Sequence, residues 1–192
     1  MTTQHPQLIG LTGLAGSGKD TVRAILEEHG YYGMAFADPI RYMLRQLLLC
    51  SGISTEYMDE RTLKEEPIPQ IGVSYRHLAQ SLGTEWGRAV VPDLWLRLAS
   101  SHIADVCGAG ELLTQYPPRF VVSDVRFVNE AAWILERGGV IWRIDRPGIE
   151  AVRAHVSEQE MELIGIDQTI LNGGTLDDLR TQVAQALSGG AA

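Results

Sequence analysis

Short, wholly apolar runs alternate along this chain with longer stretches whose apolar residues recur every three or four positions. That is the pattern of strands buried on both faces and separated by amphipathic helices. Leu8, Ile9 and Leu11 make the first such strand, residues 31–36 the second, and 120–123, 140–142 and 166–171 the other three. Val22, Ile25, Leu26 and His29 predict a helix stopped by Gly30, and Asp38-Pro39 predicts an N-cap with proline at the first helical position. Ile40, Met43, Leu44, Leu47 and Leu48 form the buried stripe of that second helix. Residues 51–73 carry mixed charge, two prolines and no period, which predicts a mobile loop. From about Ser74 a helix buries Tyr75, Leu78, Ala79 and Leu82, followed by an irregular stretch with Trp86 and Arg88. Another helix follows Pro92-Asp93, with Trp95, Leu98, Ala99, Ile103 and Val106 inside and Gly108 as its stop. Val128, Ala131, Ile134 and Leu135 mark a helix after the third strand, and Leu176, Leu179, Val183 and Leu187 one capped by Thr175.

The order strand, helix, strand, some eighty mainly helical residues, strand, helix, strand, polar flap, strand, helix implies an α/β fold. Its parallel sheet carries helices on both faces and a helical insertion after strand 2. At 192 residues one domain suffices.

The turn after the first strand changes the picture from architecture to chemistry. Gly13, Gly16 and Gly18 let the backbone turn tightly with its N–H groups inward, and Lys19 opens a helix whose positive dipole end faces the same hollow. The spacing from Gly13 to Gly18-Lys19 fits a P-loop, a phosphate cradle made of Ala15, Gly16, Ser17, Gly18 and Lys19. Asp20 stands where a Ser or Thr usually holds Mg²⁺, and Thr21 comes one place later, so either residue is a candidate ligand.

Charge and cysteine content narrow the classes. A net charge of −8 argues against binding a nucleic-acid polymer or an anionic membrane, so an anionic ligand must meet local arginines. The two cysteines, Cys50 and Cys107, suggest neither a disulfide framework nor a zinc site, and no signal or membrane-spanning pattern is present. A cytoplasmic location is expected.

Several further residues invite a ligand role beside a plainer one. Asp38 caps a helix or meets a ligand at a strand end. Arg76, Gln80 and Gly83 fall at i, i+4 and i+7, with Thr84 beyond, and suit a planar anion; otherwise they are a polar flank with a helix-ending glycine. Trp95 packs in the core or borders a base. Asp124, delivered by the third strand, occupies the place of a Walker-B-type acid, while Arg126, Asn129 and Glu130 start the next helix or pair among themselves. Arg146 and Arg153 close over phosphates from a flap or are surface charges; His155 has no partner constellation. Asn172 is a turn residue whose loop could approach a nucleotide base.

In their joint order these motifs resemble the bacteriophage-type deoxynucleoside monophosphate kinases over nearly the whole chain. The residues that carry the likeness are Gly16-Ser17-Gly18-Lys19-Asp20-Thr21, Phe36-Ala37-Asp38-Pro39, Arg76 with Gln80 and Gly83-Thr84-Glu85, and Trp95. Further along come Ser123-Asp124-Val125-Arg126-Phe127 with Asn129-Glu130, His155-Val156-Ser157-Glu158 and Asn172-Gly173-Gly174. The resemblance implies a P-loop NTPase fold in three α/β/α layers with strand order 2-3-1-4-5, the insertion spanning 37–118 and a lid-like segment 145–160. It also implies transfer of the ATP γ-phosphate to a deoxynucleoside monophosphate held between the insertion and the strand ends. Lys19 and the loop backbone would take the ATP phosphates, with Arg146 or Arg153 closing over them. Asp20, Thr21 and Asp124 would surround Mg²⁺, Asp124 alternatively orienting the acceptor. Arg76 and Arg126 would hold the acceptor phosphate, with Asp38, Gln80, Gly83, Thr84, Trp95 and Glu130 around its sugar and base. The rivals are another small-molecule P-loop kinase, such as a dephospho-coenzyme A kinase, against which Asp20 counts, and a nucleotide-binding switch without acceptor. Association of two copies is left open.

Overall fold

In the computed structural model, which describes residues 5–113, 117–149 and 160–189, five strands form one sheet in the order β2-β3-β1-β4-β5. They are β1 (Leu8–Thr12), β2 (Tyr31–Met34), β3 (Arg119–Val122), β4 (Val140–Asp145) and β5 (Gln168–Leu171), and every neighbouring pair is parallel. Parallel pairing needs a crossover between strands, and the amphipathic segments supply it. The resulting strand order is the one the resemblance implied.

All five residues of β1 are buried, as expected of the central strand of a doubly covered sheet. On one face, α1 (Lys19–Glu28) and α7 (Leu176–Gly189) lay Val22, Ile25, Leu26, Leu179, Val183 and Leu187 against Ile9, Leu11, Val121, Trp142, Ile144 and Ile170. On the other, α6 (Val128–Leu135) approaches β1 so closely that a Cβ on Gly10 would meet Ile134, Ile141 and Val125. Each fully buried Ile, Leu or Val here contributes about 1.5–3 kcal/mol. Because all strands run the same way, Thr12, Ser123, Asp145 and Asn172 end or follow their strands at one edge of the sheet, where ligands of open α/β sheets bind.

Contacts divide the chain into two compact units: residues up to Ala35 with those from Ile103 onward, and Phe36–His102. The second contains α2 (Asp38–Cys50), the short α3 (Glu56–Asp59), α4 (Tyr75–Gln80), a π-helix (Ser81–Arg88) and the start of α5 (Leu94–Leu113).

Several local expectations change. Asp38 is the first residue of α2 and Ala37 its cap, so Pro39 sits second in the helix. Ile40, Leu44 and Leu48 are buried, but Met43 and Leu47 instead line an open apolar groove of about 570 Å³ with Leu78, Leu82 and Trp86. The 51–73 stretch is anchored by buried Ile53 and Ile68 and by a bridge from Pro67 to Ser74; two isolated isoleucines leave no period to read. The helix from Tyr75 passes straight into the π-helix, so Trp86 and Arg88 are helical and Gly83 ends nothing. Likewise Gly108 lies inside α5. Val128, Leu135 and Leu176 are exposed, and Trp133, absent from the expected stripe, is buried under the Arg137 guanidinium 4.0 Å from its ring. Arg126 precedes α6 rather than starting it.

Candidate active site

The loop after β1 has the geometry its glycines require. Gly13, Gly16 and Gly18 take φ of 136°, 83° and 101°, and Gly18 is the left-handed residue from which α1 starts. A Cβ on Gly13 would collide with the Ile144 carbonyl of the neighbouring strand, so glycine is demanded twice there. Ser17 donates its N–H to Leu14 O at 3.1 Å, closing the turn.

Lys19 folds back over the loop, donating from Nζ to Gly13 O at 2.6 Å and to Leu14 O at 2.8 Å. Burial, and then the Arg126 guanidinium, lower its pKa from 10.5 to about 8, while Asp20 and Asp124 pull it upward. The four charged groups therefore share one local field: two cations and two carboxylates around the mouth of the loop. Ser17 Oγ and Thr12 Oγ1 are buried with no hydrogen-bond partner among the described residues. Two buried hydroxyls at this turn are an unmet polar demand.

Asp124 follows β3 and is held by its neighbours. Ser123 N donates to Met34 O at 3.0 Å, and Val125 N to Leu11 O at 3.1 Å. Next, Glu130 turns back from α6, its buried carboxylate Oε2 accepting from Arg126 N at 2.8 Å and Phe127 N at 3.1 Å. Glu130 is thus spent on shaping the turn that exposes the Arg126 side chain, a capping arrangement rather than an open ligand contact.

No cluster of three His, Cys, Asp or Glu side chains able to hold a metal occurs among the described residues. The donor set nevertheless fits Mg²⁺, which is held in phosphate sites by one or two carboxylates together with substrate oxygens and water. Asp20 and Asp124 are two such carboxylates acting on one lysine, and exposed Thr21 lies beside Asp20 in the first turn of α1.

In the Phe36–His102 unit, Arg76 pairs with Glu65, and its N–H donates to Lys64 O at 3.0 Å. Gln80 and Thr84 are partly exposed on the same run of helix. Asp38 forms an ion pair with Arg41 at 3.3 Å, one turn apart. Gly83 is not bare backbone at a margin. It is buried against Ile40, and its carbonyl accepts from Trp95 Nε1 at 2.8 Å. Trp95 itself is only 3% exposed, its ring filling the space a Cβ on Gly87 would need. Its surroundings are those of a packing residue, since a tryptophan with a satisfied N–H and no open face offers no platform for a base.

Arg146 is exposed just past β4. Arg153, His155, Ser157 and Glu158 lie outside the described residues, as does most of the segment 145–160. Asn172 is more than the turn residue its sequence suggests: its side-chain amide donates to Ser17 O in the P-loop at 2.8 Å. Nothing in the sequence pairs two residues that are 155 positions apart.

The family model described as deoxynucleotide monophosphate kinase matches residues 54–183. A protein of Acanthamoeba polyphaga mimivirus named as a deoxynucleotide monophosphate kinase is 34% identical over 184 residues, covering 92% of this chain and 93% of its own. The deoxynucleotide monophosphate kinase of Escherichia phage RB69 is 26% identical over 163 residues, covering 76% of this chain and 63% of its own. Among solved structures, TT1252 from Thermus thermophilus superposes with a TM-score of 0.54 at 22% identity, over 98% of this chain and all of that one, a likeness of fold. With its family motifs in order and a relative aligned over almost its full length, the chain belongs to the deoxynucleotide monophosphate kinase family.

Proposed function

We propose that this protein transfers the γ-phosphoryl group of ATP to a deoxynucleoside monophosphate, releasing ADP and the deoxynucleoside diphosphate. The observation that carries the reading is Lys19, lodged on two carbonyls of a P-loop and felt by two carboxylates and a second cation. Phosphoryl transfer needs positioning and charge neutralisation rather than a covalent nucleophile, and these groups supply both.

In this reading the loop N–H groups and Lys19 bind the β- and γ-phosphates, Lys19 leaving its two backbone carbonyls for oxygens of higher charge. Ala15, Gly16, Ser17 and Gly18 shape the cradle. Asp20, Thr21 and Asp124 would hold Mg²⁺, which would supply positive charge to screen the phosphates. Arg126 takes the transferring group, and Arg76 takes the acceptor phosphate. Arg76 can exchange the Glu65 carboxylate for a phosphate at little cost, because an ion pair with both side chains more than a third exposed is worth about 0–1 kcal/mol. Gln80, Thr84 and Asp38 offer polar contacts to sugar or base. Trp95 and Gly83 act indirectly, by holding the helix that bears Gln80 and Thr84, and Arg146 provides a further cation past β4. The acceptor is a small molecule, and the site of action is the cytoplasm of the cell or host that makes the protein. Among the described residues no helix is long and apolar enough to cross a membrane.

The test is ADP release from Mg–ATP with dAMP, dGMP, dCMP, dTMP and the ribonucleotides offered one at a time. Acceptor-dependent turnover that Lys19→Ala abolishes is the expected result. ATP binding with no stimulation by any monophosphate sinks the acceptor assignment and directs attention to dephospho-coenzyme A or to a switch.

A further inference from the structure

We propose that Asn172 is a positioning residue of the phosphate cradle, aiming the Gly18 N–H from outside the P-loop motif. The inference rests on the reading that the loop binds ATP.

The argument starts from one peptide plane. The carbonyl of Ser17 and the N–H of Gly18 belong to the same planar unit and point in opposite directions. Asn172 Nδ2 donates to Ser17 O at 2.8 Å. Pinning the oxygen therefore pins the N–H on the opposite edge, and that N–H is the one just ahead of Lys19 at the start of α1. Gly18 alone could not hold this orientation, since glycine at φ 101° has the broadest conformational freedom of any residue.

Asn172 is itself firmly placed. Its main-chain N–H donates to Asp145 O at 2.7 Å, continuing the β4–β5 pairing past the strand end. The next residue, Gly173, packs against Pro147, where a Cβ would lie 3.3 Å from the proline ring. The fit is reciprocal: the Asn172 amide occupies the space a side chain on Gly18 would need. An Asn-Gly turn chosen only for its dihedral angles would not require an amide donor aimed at a carbonyl of another loop.

Two substitutions separate a donor from a space-filler. Asn172→Asp keeps the volume but sets an oxygen against the Ser17 carbonyl; Asn172→Ala removes both volume and donor. Neither touches the main-chain bond to Asp145. Binding of Mg–AMP-PNP is measured by calorimetry without acceptor, alongside KM for both substrates and the thermal midpoint. One lost hydrogen bond corresponds to about a five- to tenfold weaker Kd for Asn172→Ala. For Asn172→Asp the loss is at least as large, while KM for the monophosphate stays within about twofold. Wild-type affinity in Asn172→Asp, or equal losses for ATP and acceptor, overturns the proposal. Should the Asp variant not fold, Asn172→Ala decides alone: unchanged AMP-PNP affinity overturns the role. A wild-type protein that binds AMP-PNP yet phosphorylates no monophosphate refutes the acceptor assignment and leaves this binding test intact. Failure of the wild type to bind AMP-PNP overturns both.

Discussion

Lys19 was identifiable from the spacing of glycines, but its ionisation was not. Burial is the main cause of the fall to about 8, and burial is a property of the folded loop. The sign of the linkage follows. A lysine whose pKa is lowered from 10.5 binds its proton more weakly folded than unfolded, so it opposes folding most below pH 8 and ceases to do so as pH rises towards 10.5. Lys19→Met should accordingly stabilise the unliganded protein at neutral pH, by at most about 3 kcal/mol, and lose most of that advantage by pH 10. Bound triphosphate has the opposite effect, restoring the proton. At pH 8 nucleotide binding should take up a fraction of a proton, seen as a binding enthalpy that varies with the ionisation heat of the buffer; an enthalpy independent of buffer would rule this out. Glu130 gives a second prediction at this scale. Glu130→Ala leaves the Arg126 and Phe127 N–H groups without their carboxylate, costing about 2 kcal/mol or more, whereas Glu130→Gln keeps an acceptor and loses less. Urea midpoints of the two variants check the order.

At the scale of elements, strands and long helices were legible because burial imposes a period on the sequence. The π-helix was not. Its Ser81–Arg88 residues carry two glycines that read as a break in the helix, and the wider turn is held by the Trp95 N–H on the Gly83 carbonyl and by the indole ring against Gly87. The two glycines therefore differ in what they tolerate. Gly87→Ala drives a methyl into the indole ring and should cost about 1–3 kcal/mol. Gly83→Ala meets only the end of the Ile40 side chain, 3.0 Å away, and should cost less. Thermal unfolding of both variants tests this, and equal losses would contradict it. The same reasoning explains Met43 and Leu47: an apolar stripe wider than its neighbour can cover is left as a groove.

For the whole molecule, the nucleotide cradle and the arginine of the helical region belong to different compact units, which gives the last prediction. Arg76→Ala should raise KM for the deoxynucleoside monophosphate tenfold or more, about 1.4 kcal/mol, and leave AMP-PNP affinity unchanged. Equal kinetics for variant and parent would remove Arg76 from the site. The Glu65 pair contributes so little stability that the thermal midpoint should not move by more than a degree or two, of the order expected for a few tenths of a kcal/mol.

The sequence by itself determined the five strands, the crossover helices, the P-loop with Lys19, and the acid delivered by β3, because each is written in residues close together in the chain. Periodicity and glycine spacing are local quantities. Tertiary structure alone decided the contacts between distant residues: Asn172 on Ser17, Trp95 on Gly83, and the shared field of Lys19, Asp20, Asp124 and Arg126. Hydrogen bonds and charges act through space, and no local pattern records which loops the closing of a sheet will bring together.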